Sequence, residues 1–180
     1  QINPHFLHNT LNSIYWETVK MGQGENPCST MVSNLSSVIR YSLSDPMEDV
    51  TVEEEVHYLE QYLAIMKVRY VNKFNVEFRI DPNGAKDPLK KMLLQPLVEN
   101  AIYHGIKEKE GIGKICVGSR CFEHATAYFI YDDGIGMHPA RVQELNEQMK
   151  SRDEIVQQHM GLSNANLRLK LAYDQQRVVQ

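Results

Sequence analysis

The sequence has few cysteines, no large excess of charge of either sign and no long apolar run. Its three cysteines, Cys28, Cys116 and Cys121, are odd in number and contain no CxxC pair. This excludes a disulfide framework and a cysteine zinc site, and it suits a reducing compartment. No stretch approaches the roughly 18 uncharged apolar residues that a membrane-spanning helix needs. With 19 Lys and Arg against 23 Asp and Glu, the chain also lacks the basic character of nucleic-acid-binding proteins, so any anionic ligand must be held by local geometry.

The chain of 180 residues is 42% apolar and 23% charged, which is a globular composition and allows one ordinary domain or two small ones. It opens at Gln1 without an initiator methionine or a signal segment. We therefore expect a cytoplasmic fragment of a longer protein. The elements described next predict an α+β fold in which helices pack on one face of a sheet.

Three helices are predicted in the first part of the chain, over about 4–22, 29–44 and 52–71. The third begins with the capping-box pair Thr51 and Glu54. The first two are amphipathic and are joined by a short loop, so they form a helical hairpin. A hairpin of about 40 residues buries too little surface to be stable alone. We therefore expect two copies to pair as a four-helix bundle in a homodimer.

After these helices, strands and helices alternate. The predicted strands cover 75–80, 114–120 and 125–131, and the predicted helices cover about 91–104 and 161–173. Residues 137–160 are mostly polar, with a possible helix after Pro139. The change of pattern near residue 48 divides the chain into the helical hairpin, residues 1–48, and an α/β domain, residues 49–180.

His5 is the candidate reactive residue in the N-terminal string QINPHFLHNTLN. The apolar seam of this helix consists of Leu7, Leu11, Ile14, Thr18 and Met21. His5 lies about 170° from the centre of the seam, on the side that carries Asn9 and Asn12, so it faces solvent. A neutral imidazole nitrogen is a good nucleophile near pH 7. His5 and His8 also have a spacing that could suit a metal, but no third ligand lies nearby in the sequence.

A second string, QPLVENAIYHG over residues 95–105, is predicted to be helical. Asn100 and His104 lie four residues apart and therefore share one face of the helix. A buried asparagine costs free energy unless its amide is satisfied, and a bound Mg²⁺ could take the amide oxygen as a ligand. Because Mg²⁺ usually keeps several waters and binds phosphates, one asparagine can suffice.

Two further strings with candidate site residues contain glycine. Residues Asp132 to Gly136, DDGIG, predict a tight turn after the last strand. The string HMGLSNANLRLKLAY begins at His159, and its Gly161 opens the last predicted helix. Bare N–H groups at a helix N-terminus bind phosphate. Residues 137–160 lie before this helix, and a resemblance of the surrounding strings to a nucleotide-binding fold implies that they form a mobile lid over the nucleotide.

In this order, and over nearly the whole chain, the four strings resemble the motifs of bacterial sensor histidine kinases of the autolysin-regulator (LytS-like) type. The resemblance implies a dimerising hairpin followed by a Bergerat-type α/β sandwich, the ATP-binding (GHKL) fold that is shared with gyrase and MutL. That fold normally has further strands after its last helix, so C-terminal strands are expected to be missing here. By the same resemblance, His5 is the phosphorylated residue.

The second string resembles the N-box of that fold. The resemblance implies that Asn100 holds Mg²⁺ and that Glu99 and His104 line the phosphate side of the site. ATP-hydrolysing members of the superfamily carry a glutamate one turn before the asparagine, as the base that activates water, and here that position is Pro96. We therefore expect slow hydrolysis, with transfer of the phosphoryl group to a protein side chain instead.

The DDGIG string resembles the first glycine box of the same fold. The resemblance implies that Asp132 accepts a hydrogen bond from the adenine amino group and that Gly134 and Gly136 let the backbone approach the nucleotide. The last string resembles the second glycine box, with His159 at a position where glycine is common. Its matching residues are Gly161, Leu162, Asn164, Arg168 and Leu169.

The resemblance as a whole implies a homodimeric kinase core. It would use ATP and Mg²⁺ to phosphorylate His5 and pass the phosphoryl group to an aspartate on the receiver domain of a response regulator. It would be the cytoplasmic portion of a bacterial cell-membrane protein, attached to the membrane through an N-terminal region that this chain lacks.

Two questions stay open at this point: what assists the deprotonation of His5, and whether the chain is a kinase at all. Commoner histidine kinases have an acidic residue directly after the phosphoacceptor, where this chain has Phe6. Either Asn9 could orient the imidazole or Glu99 could accept its proton. The alternative function is an ATP-binding module of the same fold that changes shape and phosphorylates nothing. A metal-dependent hydrolase built on His5 and His8 lacks a carboxylate-bearing site.

Overall fold

The structure is a computed structural model that describes residues 4–45 and 48–150, and for 148–150 the backbone alone. In chain order, the helices and strands are α1 (Pro4–Met21), α2 (Pro27–Leu43), β1 (Asp49–Thr51), α3 (Val52–Arg69), β2 (Phe74–Arg79), a 3₁₀ turn (Pro82–Gly84), β3 (Pro88–Lys90), α4 (Gln95–Asn100), a π-helical segment (Ala101–Ile106), β4 (Gly113–Phe122), β5 (Ala125–Asp132) and α5 (Pro139–Lys150). The predicted α+β class is therefore confirmed, and α5 is the helix expected after Pro139. The helix predicted over 161–173 lies outside the described residues.

Helices α1 and α2 form the expected hairpin. Asn26 caps α2, because its side chain accepts hydrogen bonds from the backbone N–H groups of Cys28 and Ser29. Of the α1 seam, Leu11 is buried between the helices, whereas Met21 is 85% exposed. On α1, the seam is therefore buried at Leu11 and open to solvent at Met21.

Helix α3 joins the hairpin to the rest of the molecule. Its first turn has the predicted capping box, in which the Glu54 N–H donates to Thr51 Oγ1 and the Thr51 N–H donates to Glu54. The apolar stripe of α3 is buried, and Leu59 and Leu63 lie at its centre. Because α3 contacts α2 on one side and the core of the sheet domain on the other, it is the element through which the two parts meet.

The main sheet has the strand order β2-β4-β5, with β2 parallel to β4 and β4 antiparallel to β5. Its inner face packs against α3 and α4, and Ile115 and Val117 on that face are fully buried. The outer face carries Phe129 and Tyr131, which are exposed. The described helices of this domain thus cover one face of the sheet, as the strand alternation predicts.

A second sheet of two short strands is missed by the sequence analysis. Strand β1 pairs antiparallel with β3, and Val50 lies opposite Leu89. Each strand has only three residues, which is too short for an alternating pattern to show.

The helix predicted over 91–104 begins later than expected, at Gln95. Residues before it are held out of helical geometry, since Met92 has a φ of +55°. Pro96 therefore lies in the first turn, where proline is favourable, rather than inside the helix. From Ala101 the helix widens into a π-helical segment, in which the Lys107 N–H donates to the Ile102 carbonyl at 2.8 Å.

Candidate functional site

His5 lies exposed on the first turns of α1. The side-chain amide nitrogen of Asn9, one turn further on, lies 3.2 Å from His5 Nε2 and 3.4 Å from Nδ1. This contact limits the orientations of the exposed ring. His8 points elsewhere, because its Nδ1 lies 3.3 Å from Ser36 Oγ on α2. In the described ranges, no three or more His, Cys, Asp or Glu side chains are grouped so that they could hold a metal ion.

The end of the α4 region carries the second set of candidate residues. Asn100 is half-buried and ends α4, while His104 is exposed in the π-helical segment that follows. Gly105, the next residue, is buried. The wider turn of the π-helix changes the angle at which these side chains project, compared with the regular helix that the spacing predicts.

The DDGIG turn lies directly against the end of that segment. The Ile135 N–H donates to the Gly105 carbonyl at 3.0 Å, and the Gly134 N–H donates to Asp132 Oδ1 at 2.9 Å. A Cβ on Gly105 would lie 2.9 Å from Cγ of Asp132, and a Cβ on Gly134 would clash with the Gly105 backbone. Glycine at both positions is therefore what allows the second and third strings of the sequence to meet. Gly136 has a φ of +70°, which favours glycine for a different reason, the left-handed backbone.

The two neighbouring aspartates of this turn point in different directions. Asp133 Oδ1 accepts a hydrogen bond from the Lys114 N–H at 2.7 Å and forms an ion pair with Lys109 at 2.8 Å. The Lys109 ammonium, together with that N–H, holds the pKa of Asp133 below its usual range. Asp132 instead lies beside Gly105, at the junction with the helix that carries Asn100.

Glu99 faces α3. Its Oε1 accepts hydrogen bonds from the Tyr62 hydroxyl and from the side-chain amide of Gln95, both at 2.9 Å. Burial raises the pKa of the Tyr62 hydroxyl, and the charge of Glu99 raises it further, so this hydroxyl keeps its proton and donates it. The second oxygen of Glu99, Oε2, has no partner among the described residues.

Glu55 is the residue that the sequence analysis missed. It lies on the apolar stripe of α3, three residues after Val52 and four before Leu59, and it is fully buried. The sequence does contain a signal for Glu55, namely a carboxylate on an apolar helical stripe. Such a residue is expected to be buried and therefore to need hydrogen-bond partners. Burial raises the pKa of Glu55, and hydrogen bonds from Tyr41 and from backbone N–H groups act in the opposite direction.

The fourth string, which begins at His159, lies outside the described residues. Gly161, Leu162 and Asn164 lie outside the described residues, as does the second half of the expected lid. Within the described part of the chain, no helix is both long and apolar enough to span a membrane.

Residues 1–74 match the family model of histidine kinases. The sensor protein kinase HptS of Staphylococcus aureus (strain USA300) is 32% identical over 176 residues, which cover 96% of this chain and 32% of HptS. An uncharacterized sensor-like histidine kinase of Staphylococcus epidermidis is 31% identical over 173 residues, which cover 96% of this chain and 33% of that protein.

A solved histidine kinase domain, from the blue-light activated histidine kinase of Erythrobacter litoralis EL346, covers 76% of this chain and 74% of its own. With a TM-score of 0.42 and 14% identity this likeness is weak, and the assignment depends on the sequence matches. The chain spans about a third of the length of the two staphylococcal relatives. It is related to the sensor histidine kinases, as the motifs in its sequence predict.

Proposed function

We propose that this chain is the kinase core of a two-component sensor of the LytS-like type, which binds ATP and transfers the γ-phosphoryl group to His5. The observation that carries the proposal is the junction at Gly105, where two strings with nucleotide-site character meet although they are far apart in sequence. Asp132 lies at this junction, and in the proposed site its carboxylate would accept a hydrogen bond from the adenine amino group. The proposed architecture is a phosphoacceptor hairpin, residues 1–48, and a Bergerat-type ATP-binding domain, residues 49–180.

Asn100 is suited to hold the Mg²⁺ that would accompany ATP. It is half-buried, and its side-chain amide has no hydrogen-bond partner within the described ranges. An amide oxygen is a hard ligand of the kind that Mg²⁺ takes alongside phosphates and water. The bound ion would neutralise charge on the phosphates. His104, on the same segment, would line the phosphate side, as would Gly161, Leu162 and Asn164 of the second glycine box.

Phosphoryl transfer needs mainly positioning and charge stabilisation. A ring nitrogen of His5 attacks the γ-phosphorus, a P–N bond forms, and the P–O bond to the β-phosphate breaks. Asn9 restrains the ring, and the imidazole proton leaves to a base. We assign that role to Glu99, whose Oε2 is left to accept the proton while Oε1 accepts hydrogen bonds from Tyr62 on α3 and Gln95 on α4.

The proposed partners follow from the same assignment. A second copy of the chain would cover the exposed apolar residues of the hairpin, which include Phe6, Ile14 and Met21. The receiver domain of a response regulator would take the phosphoryl group on an aspartate. In the whole protein, the chain would be the cytoplasmic part of a membrane sensor.

Labelling with γ-labelled ATP and Mg²⁺ tests the proposal. We expect acid-labile, alkali-stable label on the wild-type chain and none on His5→Gln, with nucleotide affinity unchanged within about twofold because His5 lies on the hairpin. His8→Gln is the matched control and should be labelled normally, since His8 contacts Ser36 instead. Label that persists on His5→Gln overturns the assignment of His5.

The alternative is an ATP-binding module without kinase activity. The exposed Phe6, where commoner kinases have an acidic residue, is the observation that favours it. The same experiment decides, because such a module would bind ATP and remain unlabelled.

A further inference from the structure

Glu55 joins three segments that are distant in sequence. Its Oε2 accepts hydrogen bonds from the Tyr41 hydroxyl on α2 at 2.7 Å and from the Met92 N–H at 2.8 Å. Its Oε1 accepts a hydrogen bond from the Leu94 N–H at 3.0 Å. The side chain is fully buried, so these hydrogen bonds compensate a charge that water cannot reach. A single carboxylate on α3 therefore holds both the hairpin and the segment before α4.

The bonds to Met92 and Leu94 hold the segment that leads directly into α4. Met92 is held at a φ of +55°, an unfavourable conformation for a residue with a side chain, and the helix starts only at Gln95. Because α4 follows this segment without a break, the bonds to Glu55 anchor to α3 the start of the helix that ends at Asn100.

Two further contacts make the same connection along α3. The Tyr58 hydroxyl donates to Gln95 Oε1, and the Tyr62 hydroxyl donates to Glu99 Oε1. The ring of Tyr58 also stacks on that of Tyr41, with centroids 4.2 Å apart. Polar and aromatic contacts thus run continuously from α2, across α3, to the helix of Asn100.

The surroundings of Tyr41 favour a fixed position for its hydroxyl. The Lys91 ammonium lies 4.3 Å from the centre of the Tyr41 ring, and Lys91 is itself 2% exposed. Burial and the charge of Glu55 raise the pKa of the Tyr41 hydroxyl, so it remains a donor at neutral pH.

We propose that Glu55 is a positioning residue, which orients the helix of Asn100 for nucleotide binding and, through Tyr41, holds the phosphoacceptor hairpin in register with it. This rests on the proposed function for the part that concerns transfer to His5. The part that concerns the helix stands on geometry alone. The proposal predicts that nucleotide affinity depends on the bonds from Glu55 to Met92 and Leu94. It predicts that the transfer rate depends on the bond from Tyr41 to Glu55.

Two substitutions in the 180-residue chain separate these bonds. Glu55→Gln keeps the volume but offers a single acceptor oxygen, so the Met92 or Leu94 N–H loses its partner. We expect ATP affinity to fall at least about tenfold and amide exchange at Met92 and Leu94 to accelerate. Tyr41→Phe leaves the backbone bonds intact, so ATP affinity should stay within about twofold while the rate of labelling of His5 falls at least about fivefold.

Each substitution has a matched control. Glu54→Gln changes the neighbouring, exposed carboxylate and keeps a residue that can serve the capping box. Tyr15→Phe removes a hydroxyl that also donates to a glutamate, Glu25, but within the hairpin. Neither control should change ATP affinity, labelling rate or exchange at Met92.

The outcomes distinguish this proposal from the proposed function. If Glu55→Gln binds ATP as tightly as the wild type and exchanges the two amides at the wild-type rate, the positioning role is overturned. If Tyr41→Phe and Tyr15→Phe label at the same rate, the link to the hairpin is overturned. An unlabelled wild-type chain overturns the proposed function, and the exchange and affinity measurements then test Glu55 independently. If Glu55→Gln fails to fold, the labelling rate of Tyr41→Phe still tests the link between Glu55 and the hairpin.

Discussion

The side chain of Asp132 occupies the space beside Gly105 that any Cβ at that position would need. The two residues belong to different strings of the sequence, one at the end of the π-helical segment and the other at the end of β5. Their close approach is fixed by the Ile135 N–H, which donates to the Gly105 carbonyl. This relationship places the aspartate of the glycine turn next to the helix that carries Asn100.

Gly105→Ala should lower both stability and ATP affinity, because the added methyl group meets the Asp132 carboxylate. Overpacking of this kind costs about 1–3 kcal/mol. A double-mutant cycle measured by urea denaturation checks the cause. The penalty should shrink when the substitution is made in an Asp132→Ala background, since the clashing group is then gone. An equal penalty in both backgrounds would show that the strain lies elsewhere.

Asp132→Asn should weaken ATP binding and narrow the preference for ATP over GTP. An ionised carboxylate only accepts hydrogen bonds, so it pairs with the adenine amino group and opposes the guanine carbonyl. In the wild type we expect ATP to bind at least about tenfold more tightly than GTP, which corresponds to about 1.4 kcal/mol. Calorimetric titration of both nucleotides measures the difference.

The neighbouring Asp133→Asn is the matched control for this prediction. Its carboxylate is engaged by Lys109 and by the Lys114 N–H, so nucleotide preference should stay as in the wild type. If Asp133→Asn loses the preference for ATP and Asp132→Asn keeps it, then Asp133 is the residue that recognises adenine, and the assignment to Asp132 is wrong.

Asp133→Asn should instead change the acid dependence of stability. The pKa of Asp133 is lowered in the folded state, chiefly by Lys109, so the ionised form stabilises the fold. That contribution is present above the usual aspartate pKa of about 3.8 and is lost as the pH falls through the lowered value. Urea denaturation between pH 3 and pH 7 should therefore show the wild type more stable than the variant at neutral pH, with the two curves converging in acid.

Glu123→Gln provides the comparison for that experiment. This carboxylate is 88% exposed and accepts no backbone hydrogen bond from the described residues. Its substitution should leave the difference between neutral and acid pH unchanged. A variant-to-wild-type gap for Asp133→Asn that widens toward acid would contradict the predicted sign.

Steady ATP hydrolysis by the chain without a phosphate-accepting partner should be slow. By the resemblance of its string to the N-box, Pro96 stands where ATP-hydrolysing proteins of that fold carry a glutamate. The structure places it in the first turn of α4, and proline has no acid–base group. Turnover should lie well below the roughly 1 s⁻¹ low end of typical enzymes. Fast multiple turnovers by His5→Gln would show that another residue activates water.

The sequence by itself determined the features whose partners lie close along the chain. The capping box of Thr51 and Glu54 spans three residues, and the Asn9 contact with His5 spans four. The apolar period of α1 to α3 and the alternation in β4 and β5 are likewise local patterns, and the helices and strands they predict are present. The identity of the family follows from motifs of the same short range.

Only the tertiary structure decided the features whose partners lie far apart. Glu55 meets Tyr41 14 residues away and Met92 37 residues away, and no local pattern encodes these pairs. Helix α4 also starts only at Gln95, against a helical pattern that begins at residue 91, because Met92 takes a positive φ. The physical reason is that a buried carboxylate must find its donors wherever the fold brings them, and these donors come from segments that no local pattern links to it.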